Sequence, residues 1–138
     1  MLLNVGPMGN GYIRPLDAEL LKAVGKWTKI YGEALYDPRP TDIAIKDKPN
    51  DFVLRDGNNY YMFCFDVGMG GDGNVVVWER DDTHINRFSF PEKIKRITWL
   101  DNGKEAKFEQ TCDSTTIYTV PFAYGTDLIV RVAKIETE

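Results

Sequence analysis

Leu20-Leu-Lys-Ala-Val-Gly-Lys-Trp-Thr-Lys-Ile-Tyr-Gly-Glu-Ala-Leu-Tyr-Asp-Pro-Arg-Pro40 is where the chain changes character. Upstream of its end the apolar period is that of a helix. Leu20, Val24, Trp27 and Tyr31 recur at i, i+4, i+7 and i+11 and make one stripe, while Lys22, Lys26 and Lys29 form an opposite, solvated face. Pro15 suits a first helical turn, and Asp17 and Glu19 place negative charge at the positive end of the helix dipole, so the spacing predicts a helix over 16–31. Gly32 is placed to take a left-handed C-terminal position. Asp37-Pro-Arg-Pro40 then cannot continue a helix and reads as a stiff, extended connector. Before the helix, Leu2-Leu-Asn-Val5 reads as a short buried strand and Gly6-Pro-Met-Gly-Asn-Gly11 as a loop.

Beyond Pro40 the period falls from 3.6 to 2. Strands are expected at 60–67, 75–79, 94–100, 106–111, 115–120 and 128–135, with weaker ones near 52–54 and 85–90. Asp56-Gly-Asn-Asn59, Gly70-Gly-Asp-Gly-Asn74, Asp101-Asn-Gly103 and Tyr124-Gly-Thr-Asp127 separate them as turns, and Leu100-Asp-Asn-Gly-Lys104 is a hairpin signal. In the last strand Leu128, Val130 and Val132 alternate against Ile129, Arg131 and Ala133, which predicts one fully apolar face. Seven or eight short strands at this spacing indicate a mainly β chain, an antiparallel Greek-key-like β-sandwich over 41–138. A strand–loop–helix unit over 1–40 precedes it. Such a βα unit is built to lie beside further parallel strands, and this chain holds none.

Composition narrows the functional classes. The chain has 138 residues, 43% of them hydrophobic, ample for a packed core and short of the roughly 250 that an eight-fold barrel needs. The net charge of −4 is spread out, and Lys93-Ile-Lys-Arg96 and Arg80-Asp-Asp82 read as solvated strand ends, so nucleic acid is not an expected partner. No apolar run reaches the length of a membrane span, and Met1-Leu-Leu-Asn-Val-Gly-Pro7 lacks the charged region of a signal peptide. Two cysteines make no framework; Cys64 lies in the apolar run Tyr60-Tyr-Met-Phe-Cys-Phe65 and reads as a buried thiol, whereas Cys112 follows Gln110-Thr111 near a turn and reads as exposed. With His84 the only histidine, a His/Cys metal site is not expected, and no cofactor is implied.

Each candidate motif has a plainer explanation. Gly6, Gly9 and Gly11 sit between a strand and a helix, but their G-x-x-G-x-G spacing is not a phosphate-binding fingerprint, and Pro7 removes a backbone donor. Asp66, Asp72 and Asn74 flank a glycine-rich loop that lacks the bidentate glutamate of a calcium site. Ser89 and Ser114 have no nucleophile context. Tyr60, Tyr61, Phe63, Phe65, Trp78, Trp99, Tyr118 and Tyr124 offer either a sugar-stacking platform or core, and burial energy favours core. No catalytic, substrate-binding or metal residue is therefore assigned.

The N-terminal segments carry a resemblance. Leu2-Leu-Asn-Val-Gly-Pro-Met-Gly-Asn-Gly-Tyr-Ile13, then Val24-Gly-Lys-Trp-Thr-Lys-Ile-Tyr-Gly-Glu-Ala-Leu-Tyr36 and Arg39-Pro40, closely resemble the α-L-fucosidases of glycoside hydrolase family 29. Thr28, Tyr31 and Leu35 depart mildly from that pattern. The resemblance implies that 1–40 is the last βα unit of a catalytic (β/α) barrel, incomplete here, and that 41–138 is the C-terminal sandwich. It implies a retaining glycosidase as parent, with an Asp nucleophile and a carboxylic acid/base lying upstream of the matching segment. The chain by itself is then expected to be non-catalytic and to brace a barrel, with a stand-alone carbohydrate-binding module as the alternative. Expected partners are a barrel of the parent type, self-association through 1–36, or a weakly held glycan. Family members are usually secreted, periplasmic or lysosomal.

Overall fold

The computed structural model describes residues 4–46, 48–65, 67–70, 85–126, 128 and 130–138. Helix α1 runs Pro15–Tyr31 and passes directly into a single 3-10 turn, Gly32–Ala34. Among the described residues eleven short strands follow: β1 Arg39–Pro40, β2 Ile45–Lys46, β3 Phe52–Asp56, β4 Asn59–Cys64, β5 Met69–Gly70, β6 Ile85–Phe88, β7 Ile94–Trp99, β8 Phe108–Gln110, β9 Thr115–Tyr118, β10 Phe122–Ala123 and β11 Arg131–Thr137. One sheet has the order β1-β3-β4-β11-β7 and the facing sheet the order β2-β6-β9-β8, all antiparallel. A parallel pair, β10-β5, stands apart from both. The antiparallel sandwich is the fold that the period-2 pattern implies. Its last strand returns to the middle of the larger sheet, with Val132 opposite Phe63 on β4 and Ala133 opposite Trp99 on β7.

That larger sheet is apolar on both faces, and this organises the molecule. Tyr60, Met62 and Cys64 of β4 join Ala133 and Ile135 of β11, Ile97 and Trp99 of β7, and Phe88 and Ile117 of the second sheet in the core between the sheets. Tyr61 and Phe63 of β4 and Val132 of β11 point the other way, onto Tyr31 and Ala34 and the half-buried Trp27. The architecture is thus three layers deep at this point: helix, sheet, sheet. Trp27 fixes the helix in place, with its ring 4.8 Å from Tyr31 and 6.2 Å from Phe63, and its indole N–H donating to the Val130 carbonyl at 2.8 Å. Lys134 on β11 reaches Glu33 at 3.1 Å across the same seam.

Several local expectations are corrected. Gly32 is right-handed, at φ −57° and ψ −37°, because the helix tightens into the 3-10 turn rather than ending there. What glycine supplies at 32 is space: a Cβ would stand 3.1 Å from the Tyr36 ring. The last strand is not apolar on one face alone. Val132, Ala133 and Ile135 are all buried, and Arg131 is drawn inside with them. The run expected at 60–67 ends as a strand at Cys64, and the one expected at 128–135 starts at Arg131. The strand expected at 75–79 lies outside the described residues, as do Asp66, Asp72, Asn74, Trp78, Arg80, Asp81, Asp82 and His84. Of the strand expected at 2–5, Leu2 and Leu3 are also outside, and Asn4 and Val5 have no strand pairing.

The turns behave as their residues dictate. Gly57 at φ +57° lets β3 and β4 meet through a two-residue hairpin with Asp56 opposite Asn59. Gly103 at φ +67° closes the 100–104 turn, with the Gly103 N–H donating to the Trp99 carbonyl at 2.8 Å. The chain then pairs back only as far as Ala106, whose N–H donates to Ile97, before crossing to the second sheet as β8.

Trp27→Ala should cost about 3 kcal/mol in urea unfolding, since it opens the helix–sheet seam and removes the bond to Val130; a loss under about 1 kcal/mol would contradict this packing. Tyr31→Phe should leave stability unchanged or raise it by up to about 1 kcal/mol, because the buried Tyr31 hydroxyl finds no partner among the described residues.

Candidate functional site

The stripe on α1 divides in two. Tyr31 is fully buried and Trp27 half-buried, but Val24 is 39% exposed, Leu20 58% and Leu16 71%. The loop leading into the helix continues this surface: Val5, Met8, Tyr12 and Ile13 are all exposed. Lys22, Lys26 and Lys29 are exposed as expected. The helix therefore spends its C-terminal turns on the sandwich and carries its N-terminal turns beyond it. Residues 5–24 thus leave several large apolar side chains uncovered.

The glycine loop before the helix is a closed turn. Pro7 bridges Ile13, the Met8 N–H donates to the Tyr12 carbonyl at 2.8 Å, the Gly11 N–H donates to the Met8 carbonyl at 2.8 Å, and the Tyr12 N–H donates to Asn10 Oδ1. The N–H groups of Met8, Gly11 and Tyr12 are thus engaged internally, and Gly11 at φ +82° makes the turn. A phosphate cradle needs those donors free.

Two of the polar clusters at the sandwich margins each lie beside a cleft. In the first, Arg131 is 4% exposed and grips Asp101 through both carboxylate oxygens, at 2.9 and 3.1 Å. The same guanidinium donates to the Val120 carbonyl and lies over the rings of Trp99 and Phe122, 4.3 and 5.5 Å from their centroids. A cleft of about 590 Å³ opens over this group. In the second, the Tyr60 hydroxyl donates to Glu92 at 2.6 Å, and Arg55 pairs with the same carboxylate at 3.1 Å. The hydroxyl bond holds the Glu92 carboxyl below its ordinary range, and burial together with that bond pushes the Tyr60 phenol up to about 12. A shallower cleft of about 540 Å³ lies beside it, lined in part by Arg55, Tyr60 and Ser89.

Elsewhere the residues singled out in the sequence have structural roles. Cys64 is buried and unbridged, with burial raising its thiol pKa well above the ordinary value, so it is held as an inert thiol; Cys112 is exposed. Tyr60, Tyr61, Phe63 and Trp99 are core, Phe65 and Tyr118 are partly covered, and Tyr124 is exposed. The exposed Phe52 stacks on the buried Phe63, with ring centroids 4.6 Å apart. Lys93 and Arg96 pair at the surface with Glu138 and Glu136. Ser114 closes a turn with Thr111, and Ser89 lies at the surface. Among the described residues no group of three or more His, Cys, Asp or Glu side chains is placed to hold a metal ion, and no helix is long and apolar enough to cross a membrane. Sequence reasoning missed the Arg131–Asp101 cluster, because a single Arg in an alternating strand gives no sign of which way it points.

Comparison with known proteins agrees with the N-terminal resemblance. Residues 1–33 match the family model described as alpha-L-fucosidase. The tissue alpha-L-fucosidases of human and mouse are each 54% identical over 39 residues, 28% of this chain and 8% and 9% of theirs. An alpha-L-fucosidase of Branchiostoma floridae is 40% identical over 40 residues. Among solved structures, the Thermotoga maritima alpha-fucosidase superposes on 97% of this chain with a TM-score of 0.66 at 22% identity, and the match takes up 30% of that protein. A GH29 alpha-L-fucosidase from Bacteroides thetaiotaomicron, solved as a trapped covalent intermediate, covers 98% of this chain at TM-score 0.69 and 20% identity, over 28% of its own length. The fold of the chain is therefore one found within α-L-fucosidases. The sequence match lies in its first third, and the matched segment is under a tenth of the curated relatives' length.

The two polar clusters set measurable costs. Asp101→Ala leaves a buried guanidinium without its counter-charge and should cost about 3 kcal/mol or more in denaturant unfolding. Tyr60 holds its proton more tightly folded than unfolded, so its contribution is complete below pH 10 and is lost as the pH rises from 10 to about 12. Tyr60→Phe should flatten the fall in stability over that window; an unchanged slope would contradict the assignment.

Proposed function

We propose that this chain is the C-terminal portion of an α-L-fucosidase and that, taken alone, it is a bracing element with no catalysis of its own. In this reading residues 1–40 close a catalytic (β/α) barrel and residues 41–138 form the sandwich that supports it. The observation that carries it is the exposed apolar surface on the segment that matches the fucosidase family model. The segment matching the fucosidase family model ends at residue 33, and the part of α1 that packs on the sandwich begins at Trp27. The matched segment therefore carries both the sandwich contacts of Trp27 and Tyr31 and the exposed apolar surface of Val5, Ile13, Leu16, Leu20 and Val24. A barrel's outer layer is what such a βα unit is shaped to complete.

The chemistry of the parent reaction belongs to that barrel. Retaining hydrolysis of an α-L-fucosyl linkage takes two carboxyl groups about 5–5.5 Å apart, one attacking the anomeric carbon and one passing a proton to and from the leaving oxygen. In this reading both lie upstream of Leu2, and none of the 21 acidic side chains in this chain is assigned to the reaction. The role left to the chain is mechanical. The sandwich holds the helix by Trp27 and the Glu33–Lys134 pair, and the helix holds the barrel edge.

Assayed with an aryl α-L-fucoside, the isolated chain should release no fucose. Turnover that disappears on replacing one of its own carboxylates would overturn the proposal. In sizing chromatography the isolated chain should self-associate through the uncovered face. The double variant Leu20→Glu, Val24→Glu should run as a monomer with stability within about 0.5 kcal/mol of the parent, since both positions are exposed. A clean monomer before substitution would count against a docking role for this face.

A further inference from the structure

We propose that the cleft between the 100–104 turn and the 120–126 segment binds a neutral polyhydroxylated ligand, a saccharide unit, whose oxygens accept hydrogen bonds from Arg131. The guanidinium has five N–H donors. Asp101 takes two and the Val120 carbonyl a third. The remaining two have no acceptor among the described residues, on a side chain only 5% exposed that lines the cleft. A buried cationic donor without an acceptor is costly, and a bound oxygen relieves that cost.

The surroundings select the class of ligand. Asp101 already neutralises Arg131, and Lys104 and Glu105 add one charge of each sign at the rim, so the charges of the described lining residues cancel. An anion gains little there, whereas a neutral molecule that both donates and accepts finds partners of both kinds. The 120–123 side of the cleft is apolar, with Val120 58% exposed beside Pro121 and the buried Phe122. This is a surface for the C–H face of a sugar ring. The volume of about 590 Å³ is in the range of small-molecule sites, about 300–1,000 Å³. This proposal does not depend on the fucosidase reading: binding by the isolated chain and release of fucose by it are separate observations, and either can fail alone.

The test is amide-shift mapping on the isotope-labelled full 138-residue chain, titrated separately with L-fucose, D-galactose and D-glucose. Inorganic phosphate and acetate serve as anion controls. At least one of the sugars should give saturable shifts confined to Asn102, Gly103, Lys104, Ala123 and their neighbours, with a dissociation constant of about 1–100 mM. Ala123→Trp, at an exposed position, should fill the cleft and abolish the shifts. Lys104→Ala, also exposed, should fold normally and weaken binding about fivefold, the share of one hydrogen bond. Shifts absent for all three sugars, scattered over the surface, or unaffected by both substitutions would overturn the proposal. Equal shifts from phosphate or acetate would make this an anion site and overturn it as well.

Discussion

A central sheet that is apolar on both faces is the constraint from which the rest of this molecule follows. β4 and β11 are neighbours in its middle, and each sends alternate side chains to opposite cores. Met62, Cys64, Ala133 and Ile135 are satisfied by the second sheet. Tyr61, Phe63 and Val132 are not, and without the helix they would face water. Burying side chains of this size contributes about 1.5–3 kcal/mol each, so the helix layer belongs to the stability of the domain. Trp27, Tyr31 and Ala34 are the residues that supply it.

That requirement ties the helix, which lies within the segment matching the alpha-L-fucosidase family model, to the sandwich. The helix differs along its length. Its last turns are the lid of the second core, and its first turns present Leu16, Leu20 and Val24 outward. The split falls between Val24 and Trp27, within one turn.

Much of this was legible in the residues. The 3.6-to-2 change of period around Pro40 separates helix from sheet, and Gly57 and Gly103 mark the hairpins in which they are found. The stripe Leu20, Val24, Trp27, Tyr31 is one face of the helix, but the pattern does not say that one half is buried on the sheet and the other exposed. That distinction is tertiary. The unbroken apolar run Tyr60–Phe65 held the relevant signal: a half-exposed strand alternates, and one buried on both faces does not. Arg131 was illegible for the converse reason. In sequence it occupies a polar slot in an alternating strand, yet Asp101, the Val120 carbonyl and the Trp99 ring together make an interior place for it. Gly32 shows the same limit, since its role is set by the ring of Tyr36 rather than by its own backbone.

The division of α1 is tested most directly by native-state hydrogen exchange on the dilute, monomeric chain. Amides that are bound to the sheet open only with global unfolding, whereas those in an unsupported helical segment open locally at lower free energy. The account predicts a step in protection along α1: amides from Thr28 to Tyr31 exchange with those of β4 and β11, and amides from Glu19 to Ala23 exchange well before them. Uniform protection along the whole helix, or a helix that exchanges fast throughout while β4 and β11 remain protected, would contradict it.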